Sequence, residues 1–269
     1  MSKLAVVCCA CALAIAVPAA QESKTYDELL DLYVRDGEVY YRALKSDRGK
    51  LDAFVNQLAN AAPDKMSRDE QVAFWINSYN ALVLRTVIDH YPLAGKAAAY
   101  PQKSIRQIPG AFERLPHRVG GRTMTLDQIE QTVLSGFGDP RVYFALGRGA
   151  EAGGRLRSEA YTGAKLSTQL GEAASECISR QGCVHVDREQ NRVVVSPIFS
   201  WREKDFAAAY ADKAPAAFSN RTPIERAVLA FVEPKLLTTE REFLEKNEFK
   251  VEFAQFDWRL NDLTGRGGR

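Results

Sequence analysis

The stretch FWINSYNALVL, Phe74 to Leu84, lies in one of the longest apolar runs of the chain and carries two asparagines inside it. Asn is a mediocre helix former because its amide competes with the backbone for hydrogen bonds, so Asn77 and Asn80 need a reason to be there. Upstream, Ser67 followed three residues later by Glu70 reads as a capping box, and Tyr91-Pro92 closes the run, which predicts one helix ending at about His90. At about 100° per residue, Gln71, Ser78, Arg85 and Asp89 share a narrow wedge that is expected to face solvent. The rest of the circumference is almost wholly apolar, so this is a central helix covered on most sides. Glu70, Asn77 and Asn80 fall outside the wedge along one flank and are candidates for buried polar groups. Burying an unpaired amide costs about 1–3 kcal/mol and a carboxylate more. Two readings follow: the three residues line a polar cleft, or they tie down irregular backbone such as the 100–124 segment.

Outward from this helix, 25–60 has apolar residues at helical spacing, broken near Gly37 and stopped by Pro63. HRVGGRTMTL suggests a hairpin turning at Gly120-Gly121, after which Thr125 and Asp127 open the helix LDQIEQTVL. VYFAL is readable as strand or helix and runs into the glycine-rich GRGAEAGGR. AKLSTQLGEAASECIS restores the helical period, and CVHVD with RVVVS predicts a second hairpin turning around Glu189 to Asn191. Three more helices, KDFAAAYADKA, TPIERAVLAFVE and TEREFLEK, precede the strand KVEFAQF. The strand and helix alternation of a doubly wound fold is missing. The expected class is α+β: one helix-rich domain over 25–262 with a small antiparallel sheet, and a disordered tail over 263–269.

Residues 1–19 give one Lys and then an apolar run of about fifteen residues ending in small side chains, the build of a secretory signal peptide. Cys8, Cys9 and Cys11 lie in this run without the sequence context of a lipid-modified cysteine. The expected location is outside the cytoplasm, periplasmic or extracellular, and no later segment supplies the roughly 20 apolar residues of a spanning helix. Lys and Arg total 36 against 34 Asp and Glu, and they are interleaved, so no charge block points to nucleic acid or a membrane surface. Beyond the leader only Cys177 and Cys183 remain. They fit a short-loop disulfide in an exported protein, or two thiols at a helix end; a metal site would lack its second ligand pair. His90, His117 and His185 show no metal-ligand spacing, and no cofactor motif is present: GRGAEAGGR lacks the Lys-Ser/Thr pair of a phosphate loop. Its Arg148 and Arg155 could hold a carboxylate or phosphate, or the segment is a plain flexible loop.

EQVAFWINSYNALVLRTVIDHYP, TLDQIE, DPRVYFAL, RSEAY, SPIFSWREKDF and FDWRLN, in that order and spacing, resemble the family catalogued as domain of unknown function 547. The resemblance runs from about Tyr26 to Asn261. It implies a site in which a His follows the DPR motif and a Cys closes FALNC, with a second Cys before Pro: a thiol site near Glu and Asn, papain-like in its logic. In this chain the corresponding positions carry Tyr143, Arg148 and Gly153. A guanidinium stays protonated and is no nucleophile, so a thiol mechanism cannot run there. Trp201, Asp205, Asp257 and Trp258 also match family positions and read as core and capping residues.

Two functions remain open. One is a non-catalytic member whose cleft, drawn from Glu70, Asn77, Asn80, Tyr143 and Arg148, binds a peptide or small anion. The other is a hydrolase or transferase with Glu70 as general base and the amides as oxyanion donors.

Overall fold

Three reciprocal caps fix where helices begin: Ser67 with Glu70, Thr125 with Gln128, and Thr222 with Glu225. In each, the hydroxyl accepts a backbone N–H that has no partner within the helix, and the side chain three residues on returns a bond to the cap. The structure is a computed structural model that describes residues 19–263. The leader reading over 1–19 and the tail reading over 263–269 therefore lie almost wholly outside the described residues.

Helix α1 (Ala19–Tyr33) leads into a short ribbon, β1 (Val34–Arg35) and β2 (Glu38–Val39), then α2 (Tyr41–Ser46) and α3 (Gly49–Asn60). The central helix α4 spans Arg68–His90. An irregular stretch precedes the hairpin β3 (His117–Val119) and β4 (Arg122–Met124), whose turn residues Gly120 and Gly121 have φ of +59° and +72°. Positive φ at both turn positions is the geometry that glycine allows at low cost. Helix α5 (Leu126–Gln128) continues as a π-helical turn over Ile129–Leu134, and 3-10 turns replace the strand-or-helix segment VYFAL. After α6 (Leu166–Ser179) come β5 (Val184–Asp187) and β6 (Arg192–Val195), then α7 (Ile198–Trp201), α8 (Glu203–Tyr210), α9 (Pro223–Val232), α10 (Thr238–Glu245) and β7 (Lys250–Phe253).

The fold is α+β and helix-rich. The expected small antiparallel sheet is present as β5 and β6, with Val184 opposite Val195. Its third strand departs from that expectation: β7 pairs with β6 in parallel, Val193 opposite Val251. The chain between β6 and β7 holds four helices, and a crossover of that length lets a strand return in the same direction.

One apolar core extends from Tyr26 in α1 to Leu260 near the end of the described chain. Every residue of α4 from Val72 to Leu84 is buried. The polar wedge expected on α4 is correspondingly narrower than its sequence implies. Ser78 is fully buried with its hydroxyl unpartnered, and Arg85 is half-buried between Asp52 of α3 and Asp89. Helix α3 lies along this face and closes it, leaving Asp89 exposed.

A disulfide joins Cys177 at the end of α6 to Cys183, with Cα atoms 5.4 Å apart and both residues buried. A crosslink six residues long removes few conformations from the unfolded chain. Its reduction, or a Cys177→Ser, Cys183→Ser double substitution, is expected to lower unfolding free energy by about 2 kcal/mol. Urea midpoints with and without reductant measure this.

Candidate functional site

The flank of α4 that carries Glu70, Asn77 and Asn80 faces a single irregular segment, 145–163, which runs past it in the opposite direction. Asn80 Nδ2 donates to the Ala145 carbonyl at 3.0 Å, and its Oδ1 accepts the Gly147 N–H at 2.9 Å. Asn77 does the same to one residue, donating to the Tyr161 carbonyl at 2.8 Å and accepting the Tyr161 N–H at 2.9 Å. Each amide thus supplies one donor and one acceptor, as a neighbouring strand would, to buried backbone that lacks a strand partner. The asparagines tie down irregular backbone, but at 145–161 rather than at 100–124.

Glu70 continues this line at its exposed end. A Cβ placed on Gly163 would sit 2.7 Å from Glu70 Cγ, so the segment passes directly over it. Its carboxylate is occupied by the cap, accepting from Ser67 N at 2.9 Å and from Ser67 Oγ at 2.7 Å. These bonds hold its pKa below the ordinary value. Glu70 is therefore an exposed capping residue, not a buried member of a cleft: at the third helical position its side chain folds back onto the helix end.

Tyr143 and Arg148 come together elsewhere. Asp139 caps the 3-10 turn Pro140–Phe144, and Phe144 is held from behind by Phe199 and Phe206, with ring centroids 5.2 and 5.8 Å away. Asn80 then fixes the backbone at Ala145 and Gly147. Arg148 follows with φ of +43°, next to Gly149 at +60°, and the reversal turns the Arg148 side chain inward. Its guanidinium is buried: Nη2 donates to Glu130 Oε1 at 2.6 Å, and Nη1 to the carbonyls of Tyr143 and Leu146 at 3.0 and 3.3 Å. Arg202 Nη2 and Nε donate to the same Glu130 oxygen at 2.7 and 3.2 Å, and Tyr79 OH donates to Glu130 Oε2 at 3.2 Å. Arg202 also lies over the Tyr143 ring, 4.8 Å from its centroid, while Tyr143 OH donates to Asp205 Oδ2 at 2.5 Å.

Burial alone would push the Glu130 carboxyl up, but Arg148 and then Arg202 outweigh it and hold the group below the ordinary carboxylate range. Burial would likewise lower Arg148, and Glu130 more than compensates. The Tyr143 phenol is pushed far up by burial and then by its bond to Asp205. At Gly153 a Cβ would stand 2.4 Å from the Gly147 carbonyl oxygen, so this backbone admits no side chain there.

Above the Glu130 cluster lies a pocket of about 200 Å³. Its floor is Tyr79, Glu130, Arg148 and Arg202, and its walls include Arg106, Phe112, Asp127, Gln131, Trp201 and Trp258. Arg106 lies over both Phe112 and Trp258, 4.5 and 4.4 Å from their centroids, in the angle between the two inclined rings, and pairs with Glu113. The Asp127 carboxylate makes no hydrogen bond or ion pair among the described residues. Burial first, then Glu113 and Glu130, raises its pKa.

The sequence reading missed Glu130, Arg202, Asp127 and Arg106. Glu130 and Arg202 stand within TLDQIE and SWREKDF, but nothing local marks them, since their partners come from other elements. The histidines stay apart. Burial and then the nearby Arg85 lower His117 to about 4, and no group of metal-binding side chains forms among the described residues.

Residues 63–178 match the family model described as "Protein of unknown function, DUF547". No curated protein and no solved structure matches the chain.

Replacing Asn77 or Asn80 by Leu orphans a buried N–H and a buried C=O at once. Each variant is expected to lose about 2–5 kcal/mol in urea unfolding, with the slope unchanged; a gain in either would mean that the amides are not structural ties. Glu130→Gln leaves Arg148 in the interior without a counter-charge and is expected to cost about 3–5 kcal/mol. Because the Glu130 pKa is lowered on folding, that deficit is full above the ordinary carboxylate range and fades as pH falls through the lowered value. Unfolding midpoints of wild type and variant across acid pH test both the size and the fading.

Proposed function

We propose that this chain, whose residues 63–178 match the DUF547 family model, is an exported, non-catalytic binding protein that holds a small polar ligand in the pocket above Glu130. The observation that carries this reading is the division of labour in the lining. Arg148 and Glu130 are spent on one another, whereas Asp127, the outer edge of Arg202 and the face of Trp201 keep unused bonding capacity. Arg202 Nη1 makes no hydrogen bond among the described residues, and Trp201 is 45% exposed beside Phe256 and Trp258. A pocket with an apolar wall and a few open polar groups is the usual form of a small-molecule site.

Arg148 serves here as part of the floor rather than as ligand contact, since its guanidinium is buried and its bonds go to Glu130 and two carbonyls. Hydrolysis with Glu70 as base finds no geometric support: that carboxylate caps a helix at the surface, and the two amides that would serve as oxyanion donors are bonded to backbone. The exported location rests on the sequence of the first nineteen residues.

The test is thermal unfolding of the protein without residues 1–19 against a panel of sugars, amino acids, dipeptides and inorganic phosphate, with Trp201→Ala in parallel. A ligand at 100 times its dissociation constant stabilises by about 2.7 kcal/mol. One class is expected to raise the midpoint of wild type and not of Trp201→Ala, with no compound consumed. Turnover of a panel compound that falls in Glu70→Gln would overturn the reading in favour of the hydrolase.

A further inference from the structure

The pocket constrains the chemistry of its occupant more tightly than "small and polar", and the inference drawn here rests on the binding role proposed above. Its lining carries three guanidiniums, Arg106, Arg148 and Arg202, against the carboxylates of Asp127 and Glu130, and Glu113 pairs with Arg106 from outside. Charge is thus balanced, three against three. An anion drawn to Arg202 meets the open Asp127 carboxylate. A cation drawn to Asp127 meets Arg202, and the ring faces of Phe112 and Trp258 that would suit it are already covered by Arg106.

A neutral ligand that both donates and accepts suffers neither conflict. Asp127 offers two acceptor oxygens, Arg202 offers an unused N–H edge, and the Gln131 side chain, unbonded among the described residues, offers one of each. Beside them stands an exposed indole, Trp201, nearly parallel to Trp258 at 19° with centroids 6.2 Å apart. A flat apolar face next to planar polar groups suits a molecule with one face of C–H bonds and an edge of hydroxyls. The volume, about 200 Å³, falls below the roughly 300–1,000 Å³ of drug-sized sites and fits one ring rather than an extended chain.

We propose that this pocket binds a pyranose sugar unit, its C–H face stacked on Trp201 and its hydroxyls bonded to Asp127 and Arg202. Trp201 provides the platform and Asp127 the orientation, since an ionised carboxylate accepting from adjacent hydroxyls forms the stronger, charge-assisted kind of bond. Asp127 stays half-exposed at the pocket edge, so it is accessible to a ligand.

The chain has three tryptophans, of which Trp201 and Trp258 line the pocket and Trp75 does not. A ligand-induced change in intrinsic fluorescence therefore reports on Trp201 and Trp258, and in Trp201→Ala on Trp258, with isothermal titration calorimetry giving the affinity of each variant independently of the reporter. The experiment titrates the protein without residues 1–19 with gluco-, galacto-, manno- and N-acetylamino-configured pyranoses and their disaccharides, with triglycine and inorganic phosphate alongside. A saturable change with at least one sugar is expected, weakened at least tenfold in Trp201→Ala and in Asp127→Asn while urea midpoints show both variants folded. Asn keeps one acceptor but loses the charge, so Asp127→Asn separates orientation by a carboxylate from loss of shape. Silence from every sugar overturns the assignment. Saturation by triglycine or phosphate instead, still dependent on Trp201, overturns the sugar and leaves the binding role standing. A sugar response unchanged in Trp201→Ala places the ligand elsewhere and overturns both.

Discussion

The buried Glu130 carboxylate accepts from two guanidiniums and a phenol, and these partners come from three separate parts of the chain. Arg148 reaches it from the loop after the Pro140–Phe144 turn, Arg202 from the junction of α7 and α8, and Tyr79 from the middle of α4. A lone carboxylate in such a place would be too costly to keep ionised, and a lone guanidinium, which stays protonated, too costly to bury. The three elements therefore cannot separate without stranding a charge in the interior. Glu130 shares its inward face with Leu126, Ile129 and Leu134, at the spacing of one helical face, while Gln131 beside it remains exposed.

The asparagines act on the same junction from behind. Asn80 holds Ala145 and Gly147, the residues on either side of Leu146, whose carbonyl accepts from Arg148. With Gly147 fixed, Arg148 enters a left-handed conformation, which costs energy for a residue with a Cβ. The bonds from its guanidinium to Glu130 and two carbonyls offset that cost. Asn77 anchors the far end of the segment at Tyr161. Two amides one helical turn apart thus set both ends of a stretch that has almost no regular structure between them.

Much of the fold was legible because its signals are local. Capping boxes, the glycine pair at 120–121 and the apolar period of α4 each depend on residues within a few positions of one another. Those readings placed both hairpins and the main helices close to where they lie. The parallel return of β7 was not legible, since no neighbouring residue distinguishes a parallel from an antiparallel partner in a strand so short. Ser78 fell on the wrong side of the wedge because the helical angle locates a residue around an axis and says nothing about what packs there. The site was legible only in part for the same reason. Tyr143 and Arg148 stood out through the family resemblance, and Asn77 and Asn80 through polarity in an apolar run. Glu130, Arg202 and Asp127 look like ordinary surface charges in sequence, and only the fold sets them side by side.

Glu70 and Glu130 show how far apart two acids of similar promise can end. Both precede or interrupt apolar helical runs, and on chemistry alone either could be a base. Glu70 sits where the helix dipole and two bonds from Ser67 already stabilise its charge, which makes it a weak proton acceptor. Glu130 is kept ionised against its burial by two guanidiniums, both of which bond to Oε1, while Oε2 accepts from Tyr79. The acid with capacity left is Asp127, whose pKa moves the other way under burial and the two neighbouring carboxylates. Under the proposed binding role, a ligand is therefore expected at the one carboxylate of the pocket lining that the structure has not already consumed, and the same criterion selects Arg202 over Arg148 among the guanidiniums. Residues that hold the pocket together are the fully bonded ones; residues proposed to meet a ligand are those the fold leaves incompletely satisfied at its edge.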